Sequence, residues 1–277
     1  MSGTVCLTFD FDALSLWIAR GMASPGPLSR GEFGAVAFPR ILSLLGKYEV
    51  PATFFVPGHT AETYPDLIRQ AGDTGHELAL HGYCHEPVST LSKVREREVM
   101  LRTSEVLENL TGRRPVGNRT PSWDFTEHTV DLALDLGLSY DSSLMGHDYL
   151  PYSARTGDRW PDNAAYQFGS ATELLEVPVS WTLDDYPAFE YLRTSQFVMP
   201  GLRRPDEVFA NWLDDVKYMM AGFTDGVCVF TFHPQVIGRG HRMLALERLI
   251  EELKGLDVSF ARVDVVTQEW RDGRHRD

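Results

Sequence analysis

Cysteine is scarce in this chain. Cys6, Cys84 and Cys228 are three in 277 residues, odd in number and far apart. That pattern excludes a disulfide framework and offers no Cys-x-x-Cys pair for a structural zinc. Long apolar runs are missing as well. No stretch reaches the roughly 18 residues that a membrane span needs. Basic residues are outnumbered, with 26 Lys and Arg against 39 Asp and Glu and a formal net charge of −13. An acidic chain is a poor partner for nucleic acid, for anionic membranes and for polyanionic substrates. There is no Gly-x-Ser-x-Gly elbow and no phosphate-binding Gly-rich loop. Met1-Ser2-Gly3-Thr4 leads straight into an apolar run, without the basic and apolar regions of a leader. A cytoplasmic location is therefore expected.

What the chain does have is a regular alternation. Short apolar runs are expected as strands at Thr4–Asp10, Ala52–Val56, Glu77–Leu80, Pro115–Asn118, Ser139–Asp141, Leu174–Val179, Val227–Phe232 and Val258–Arg262. Between them, helices are expected at Phe38–Tyr48, Pro65–Asp73, Ser92–Leu110, Thr126–Leu136, Asp206–Ala221, Met243–Lys254 and Val265–Trp270. Gly112, Gly137 and Gly255 stand where left-handed C-caps belong. The β/α order predicts a parallel sheet. Eight runs in a chain of this size predict a closed or nearly closed α/β barrel of about seven to eight parallel strands, one domain over residues 1–277. Two long aromatic segments, Ser142–Thr172 and Ser180–Arg204, would rim its mouth.

The unusual polar residues cluster at the C-terminal ends of the expected strands, where such barrels place their active sites. Asp10 and Asp12 end the first run. His81 and His85 follow the third, Arg119 the fourth, and His233 the seventh; Asp141 ends the fifth. Residues two apart in an extended segment share a face, so Asp10 and Asp12 can address one site. One carboxylate and two imidazoles suit a divalent metal with an open position, as in catalytic zinc sites. Zinc fits this donor set best, though other divalent ions accept it. The second carboxylate could then take a proton from a water activated there, and a histidine could return one to a leaving amine. Each residue also has a plainer reading. Asp at a strand end is a common turn residue, and Trp123, Trp181 and Tyr186 could be core rather than substrate-stacking. His76 reads as structural, and Cys84 as packing rather than a thiolate ligand.

These residues carry a resemblance. Thr8-Phe9-Asp10-Phe11-Asp12, His81-Gly82-Tyr83-Cys84-His85, Arg119-Thr120-Pro121-Ser122-Trp123, Asp141-Ser142-Ser143 and Thr231-Phe232-His233-Pro234-Gln235 resemble, in order, the motifs of the polysaccharide deacetylases, carbohydrate esterase family four. The resemblance implies a distorted (β/α) barrel, a bound zinc or similar divalent ion, and a metal-dependent hydrolase of N-acetyl amides on sugars such as peptidoglycan N-acetylglucosamine. It implies Asp12, His81 and His85 as metal ligands, Asp10 as catalytic base and Arg119 as its orienter. It further implies His233 as general acid, with Asp141 as a partner that tunes it. Phe11 between the aspartates, Ala13 in place of glycine, and Gly82 in place of Ser or Thr depart from the common pattern. The segments Val177-Pro178-Val179-Ser180-Trp181 and His233-Pro234-Gln235-Val236-Ile237-Gly238-Arg239 resemble a separate branch, similar to cytoplasmic peptidoglycan-deacetylase-like proteins and to hydrolases of allantoin and cyclic imides, whose members tend to be homotetramers. A small cyclic amide is thus the alternative substrate. A non-catalytic sugar-binding barrel is the alternative of another class, although a decayed relative would be expected to have lost part of this set.

Overall fold

The computed structural model describes residues 3–194 and 197–273; of the opening Met1-Ser2-Gly3-Thr4, the first two lie outside the described residues. Its strands are β1 (Gly3–Asp10), β2 (Ala52–Val56), β3 (Glu77–Leu80), β4 (Gly117–Asn118), β5 (Tyr140–Asp141), β6 (Tyr152–Thr156), β7 (Ser170–Glu176), β8 (Leu192–Arg193), β9 (Val198–Met199), β10 (Val227–Phe232) and β11 (Val258–Phe260). The main sheet runs β10-β1-β2-β3-β4-β5-β7-β6. Every neighbouring pair on this path is parallel except β6–β7. The chain just past β7 returns to β10 through one parallel bridge, Asp184 to Thr231. The result is the expected distorted barrel, a curled, mostly parallel sheet that barely closes.

Alternation along the strands builds two apolar layers. Val5, Leu7 and Phe9 of β1 and Cys228, Phe230 and Phe232 of β10 point outward into the large core under the helices. Cys6, Phe55, Ala79, Tyr140, Val227 and Val229 fill the barrel interior. Thr8 and Asp10 share the inner face with Cys6, so the strand period itself carries Asp10 to the top of the barrel.

The helices are α1 (Leu14–Ala19), α2 (Pro25–Tyr48), α3 (Gly58–Thr63), α4 (Pro65–Asp73), α5 (Lys93–Thr111), α6 (Thr129–Asp135), α7 (Asp185–Phe189), α8 (Pro205–Gly222), α9 (Pro234–Ile237), α10 (Gly240–Lys254) and α11 (Val263–Arg271). The structure adds α1, α3, α7, α9, β6, β8 and β9 to the elements read from the sequence, and three of the expected features differ most. Helix α2 starts at Pro25 rather than Phe38. Gly26, Gly31, Gly34 and Pro39 lower the helix propensity of this segment, but packing overrides propensity: Gly31 lies so close to the Ala13 carbonyl that a Cβ would fall 2.5 Å from its oxygen. The last expected strand is not a barrel stave; β11 pairs only with Gly3–Val5 of β1, below the start of β2. Gly255 is right-handed at φ −77°, unlike Gly112 and Gly137 at +69° and +76°.

One glycine gives a sharp stability test. A Cβ at Gly117 would sit 2.0 to 2.3 Å from the Tyr140 ring. That ring is fully buried and its hydroxyl donates to Glu77 Oε1 at 2.8 Å, so it has nowhere to go. Gly117→Ala is expected to destabilise the fold by about 1–3 kcal/mol, read as a lower urea midpoint with an unchanged slope.

Candidate active site

The site is assembled from strand ends and fixed from below. Arg119 follows β4 and is fully buried. Its NH1 donates to Asp10 Oδ1 and to Thr8 Oγ1, both at 2.8 Å; its Nε donates to the Ser142 carbonyl at 2.9 Å and its NH2 to Ser142 Oγ at 3.0 Å. The guanidinium also lies 4.0 Å from the centre of the Phe55 ring. A buried cation is tolerated only when its donors are satisfied, and this one holds Asp10 Oδ1 in return. Ser143 Oγ accepts from Thr120 N at 2.9 Å. The Asp141-Ser142-Ser143 run therefore fastens the Arg119 loop.

Asp12 stands just beyond β1, where Ala13 turns the chain with φ 48° and ψ −123°. That is a costly conformation for alanine, and it hangs α1 over the barrel mouth. Three hydrogen bonds to the Asp12 carbonyl, from Ser15 N, Ser15 Oγ and Thr60 Oγ1, hold the turn. The Asp12 side chain then faces His81 and His85: Oδ1 lies 3.4 Å from His81 Nε2 and 3.7 Å from His85 Nε2. His85 itself has φ 56°, and Gly82 has φ 66° with Pro121 so close that a Cβ would fall 2.8 Å from its Cγ. The glycine in place of Ser or Thr thus answers a steric demand.

The donor set fits a divalent metal. Asp12, His81 and His85 are all buried, and their ligand atoms lie within 4.8 Å of one another. Asp12 Oδ1 is buried without a hydrogen-bond partner, an orphan that a cation would satisfy. His81 Nδ1 sits 2.7 Å from the Arg119 carbonyl, which fixes its proton there and leaves Nε2 free as a ligand. Burial would raise the Asp12 carboxyl, but His85, His81 and His233 outweigh it and hold it well below the usual carboxylate range. Burial pushes His85 down to about 4, the neutral form that ligation requires. Cys84 stands outside this group, its thiol pushed up to about 11 by burial and then by Glu86. His76 accepts from Ala52 N at 3.2 Å, a structural contact.

His233 lies across the cleft, its Nε2 3.9 Å from Asp12 Oδ2. Its partners correct the sequence reading. Asp141 does not reach it; Asp141 accepts from Asn118 Nδ2 at 2.6 Å, on the neighbouring strand. The neighbour is Asp185, whose Oδ1 is 2.8 Å from His233 Nδ1 and also accepts from His233 N at 3.1 Å. Asp184 stands 3.5 Å away. Burial opposes charge on this imidazole, yet Asp184 and Asp185 together raise it to about 10. Burial also pushes Asp184 up to about 7. These two aspartates form with His233 a second Asp/His group that could hold a metal. Sequence reasoning missed them, and the only signal was an Asp-Asp pair inside an aromatic loop. For Asp141, burial raises the carboxyl to about 6 beside Glu176.

An open cleft lies over these groups. The aromatic residues singled out in the sequence all line it. Trp123 and Trp181 stack with ring centres 4.0 Å apart, and Tyr186 lies 5.1 Å from the His233 ring. Two further residues were not anticipated: Arg20, on the rim, and Gln235, whose Nε2 donates to Asp12 Oδ2 at 3.4 Å.

This barrel and this arrangement of groups place the chain among known proteins. Residues 2–140 match the polysaccharide deacetylase family model. The chain is 35% identical to the peptidoglycan deacetylase of Helicobacter pylori over 258 residues, covering 88% of this chain and 87% of that protein. It is 29% identical to the peptidoglycan deacetylase-like protein FGM2 of Gibberella zeae, over 96% of this chain and 86% of that one. A crystal structure from Mycobacterium smegmatis, assigned to the polysaccharide deacetylases, superimposes with a TM-score of 0.87 at 34% identity, covering 99% of this chain and 91% of that one. The Puue allantoinase shares the fold, with a TM-score of 0.77 at 22% identity, over 99% of this chain and 92% of that one. The chain belongs to the polysaccharide deacetylase family. It is accordingly a hydrolase of carbon–nitrogen bonds other than peptide bonds. Among the described residues, no helix is long and apolar enough to cross a membrane.

Proposed function

We propose that this protein removes the acetyl group from N-acetylated sugars of the peptidoglycan type, with zinc at Asp12, His81 and His85. The observation that carries this is the orphaned Asp12 Oδ1 facing two imidazoles, with Asp10 and His233 beside it. A divalent ion held there would acidify a water molecule and polarise the amide carbonyl. Asp10, anchored through Oδ1 by Arg119, keeps Oδ2 for the proton of the attacking water. Water adds to the acyl carbon, the C–N bond breaks, and the electron pair leaves with nitrogen. His233 supplies the proton that makes this nitrogen an amine rather than an amide anion. Asp185 fixes the His233 ring so that Nε2 faces the cleft. Asp141 acts further back, through Asn118 and the loop that carries Arg119. We take residues 1–277 as one catalytic domain, working in the cytoplasm as a homo-oligomer.

Acetate release from N-acetylglucosamine oligomers tests this reading. The zinc-loaded protein is expected to release acetate, the chelator-stripped protein at least about 100-fold less, and re-added zinc to restore it. Absence of acetate from protein shown to carry zinc would remove the reading. A cleft walled by Trp123, Trp181 and Tyr186 favours a second reading, ring opening of a small cyclic amide. An imide or hydantoin assayed in parallel distinguishes the two.

A further inference from the structure

Two guanidinium groups line the cleft, and they differ in kind. Arg119 is buried and paired with Asp10. Arg20 is exposed on the rim at the end of α1. Its NH1 donates to Tyr186 Oη at 2.7 Å and its plane lies 5.4 Å from the Tyr186 ring. Tyr186 in turn packs on His233, so Arg20 is held one side chain away from the proposed general acid. Among the described residues Arg20 has no carboxylate within ion-pair distance. The contrast with nearby Arg30 is informative: Arg20 and Arg30 both lie over the Trp17 ring, 6.0 Å and 4.5 Å from its centre, yet Arg30 is neutralised by Glu190. In a chain with a net charge of −13, an unneutralised cation fixed at the mouth of the catalytic cleft needs a reason. Arg20 keeps donors that Tyr186 does not use, and a guanidinium fork matches a carboxylate.

We propose that Arg20 reads a carboxylate on the substrate, borne on the same N-acetylated sugar ring as the amide that is cleaved. The inference rests on the deacetylase reading above and narrows it to acidic acetamido sugars. N-Acetylmuramic acid and N-acetylglucosamine form the pair for a test, since they differ only by the 3-O-lactyl ether that carries the carboxylate. The zinc-loaded wild type is expected to favour the acidic sugar by about tenfold in kcat/KM, the lower end for a charge-assisted contact because Arg20 is exposed. That preference should weaken as salt is raised. Arg20→Gln, which can still donate to Tyr186, is expected to bring the ratio to near one. Arg20→Lys should keep part of it, since the charge remains and the fork is lost. Calorimetric binding of both sugars to the Asp10→Asn protein, with and without Arg20→Gln, should show the same ratio in Kd. Circular dichroism melting confirms that the variants are folded.

A wild-type ratio at or below one overturns the role of Arg20, and so does a preference that survives in Arg20→Gln. Acetate release from the neutral sugar without any acid preference would leave the deacetylase reading standing and remove only this inference. No binding and no acetate with either sugar would remove both.

Discussion

Asp10→Asn is expected to keep its metal and to lose about 10²–10⁴ in turnover, the range that general-base removal covers. The geometry explains both halves. Asp10 is not in the three-residue donor group; its Oδ1 belongs to Arg119, and its Oδ2 lies 3.7 Å from His81 Nε2, facing the cleft. An asparagine that turns its carbonyl oxygen toward Arg119 keeps that hydrogen bond and offers the cleft an amide NH₂. That group donates where the reaction needs an acceptor. Removing the charge also leaves the buried Arg119 without its counter-ion. Loss of one partner of a buried pair costs about 3–5 kcal/mol when nothing replaces it, and the retained hydrogen bond offsets part of this. The measurement is therefore threefold: zinc content by elemental analysis, melting temperature, and acetate release. Bound zinc with abolished turnover supports Asp10 as the base. Bound zinc with wild-type turnover removes Asp10 from that role.

Much of the site was legible because chemistry and periodicity coincide. Asp10 lies on the inner face of β1 by strict alternation with Cys6 and Thr8. His81 and His233 each follow an apolar run that is buried on both sides, as parallel strands are. Residues placed by a strand end can be read from one dimension. The residues that were missed are placed by the return of a distant loop. Asp185 meets His233 across 48 positions, through a segment whose aromatic residues suggested only a rim. Arg20 follows directly on a helix of six residues behind a positive-φ alanine, which no propensity predicts. The assignment of Asp141 to His233 failed for a related reason. Both residues lie at strand ends, but β5 and β10 are well separated along the sheet, and Asp141 is absorbed by its register neighbours Asn118 and Glu176. The barrel was readable at the level of strand count, whereas the identity of the staves was not. Val258–Phe260 has strand composition but finds only the lower edge of β1 to pair with.

The partner exchange from Asp141 to Asp185 makes the second large prediction. Asp185→Asn is expected to lower kcat by about 10²-fold or more, comparable to impairing a general acid, and to change the pH dependence as well as the rate. His233 must carry a proton to serve the leaving nitrogen. Burial disfavours that proton, and the two aspartates outweigh burial to hold the imidazole above its ordinary range. Activity that needs protonated His233 is full below its pKa and falls as pH rises through it. Removing the Asp185 charge lowers that pKa, so the alkaline limb of the kcat profile should move to lower pH, the same direction in which a nearby metal cation acts. The amide oxygen of the substituted side chain can still accept from His233 N, so the ring orientation is largely kept and the electrostatic part is isolated. Asp141→Asn is the control. It stands next to Asn118 rather than His233, so any loss of rate should come without movement of the alkaline limb. A shift in the Asp141 variant and none in the Asp185 variant would reverse the assignment and restore Asp141 as the residue that tunes the acid.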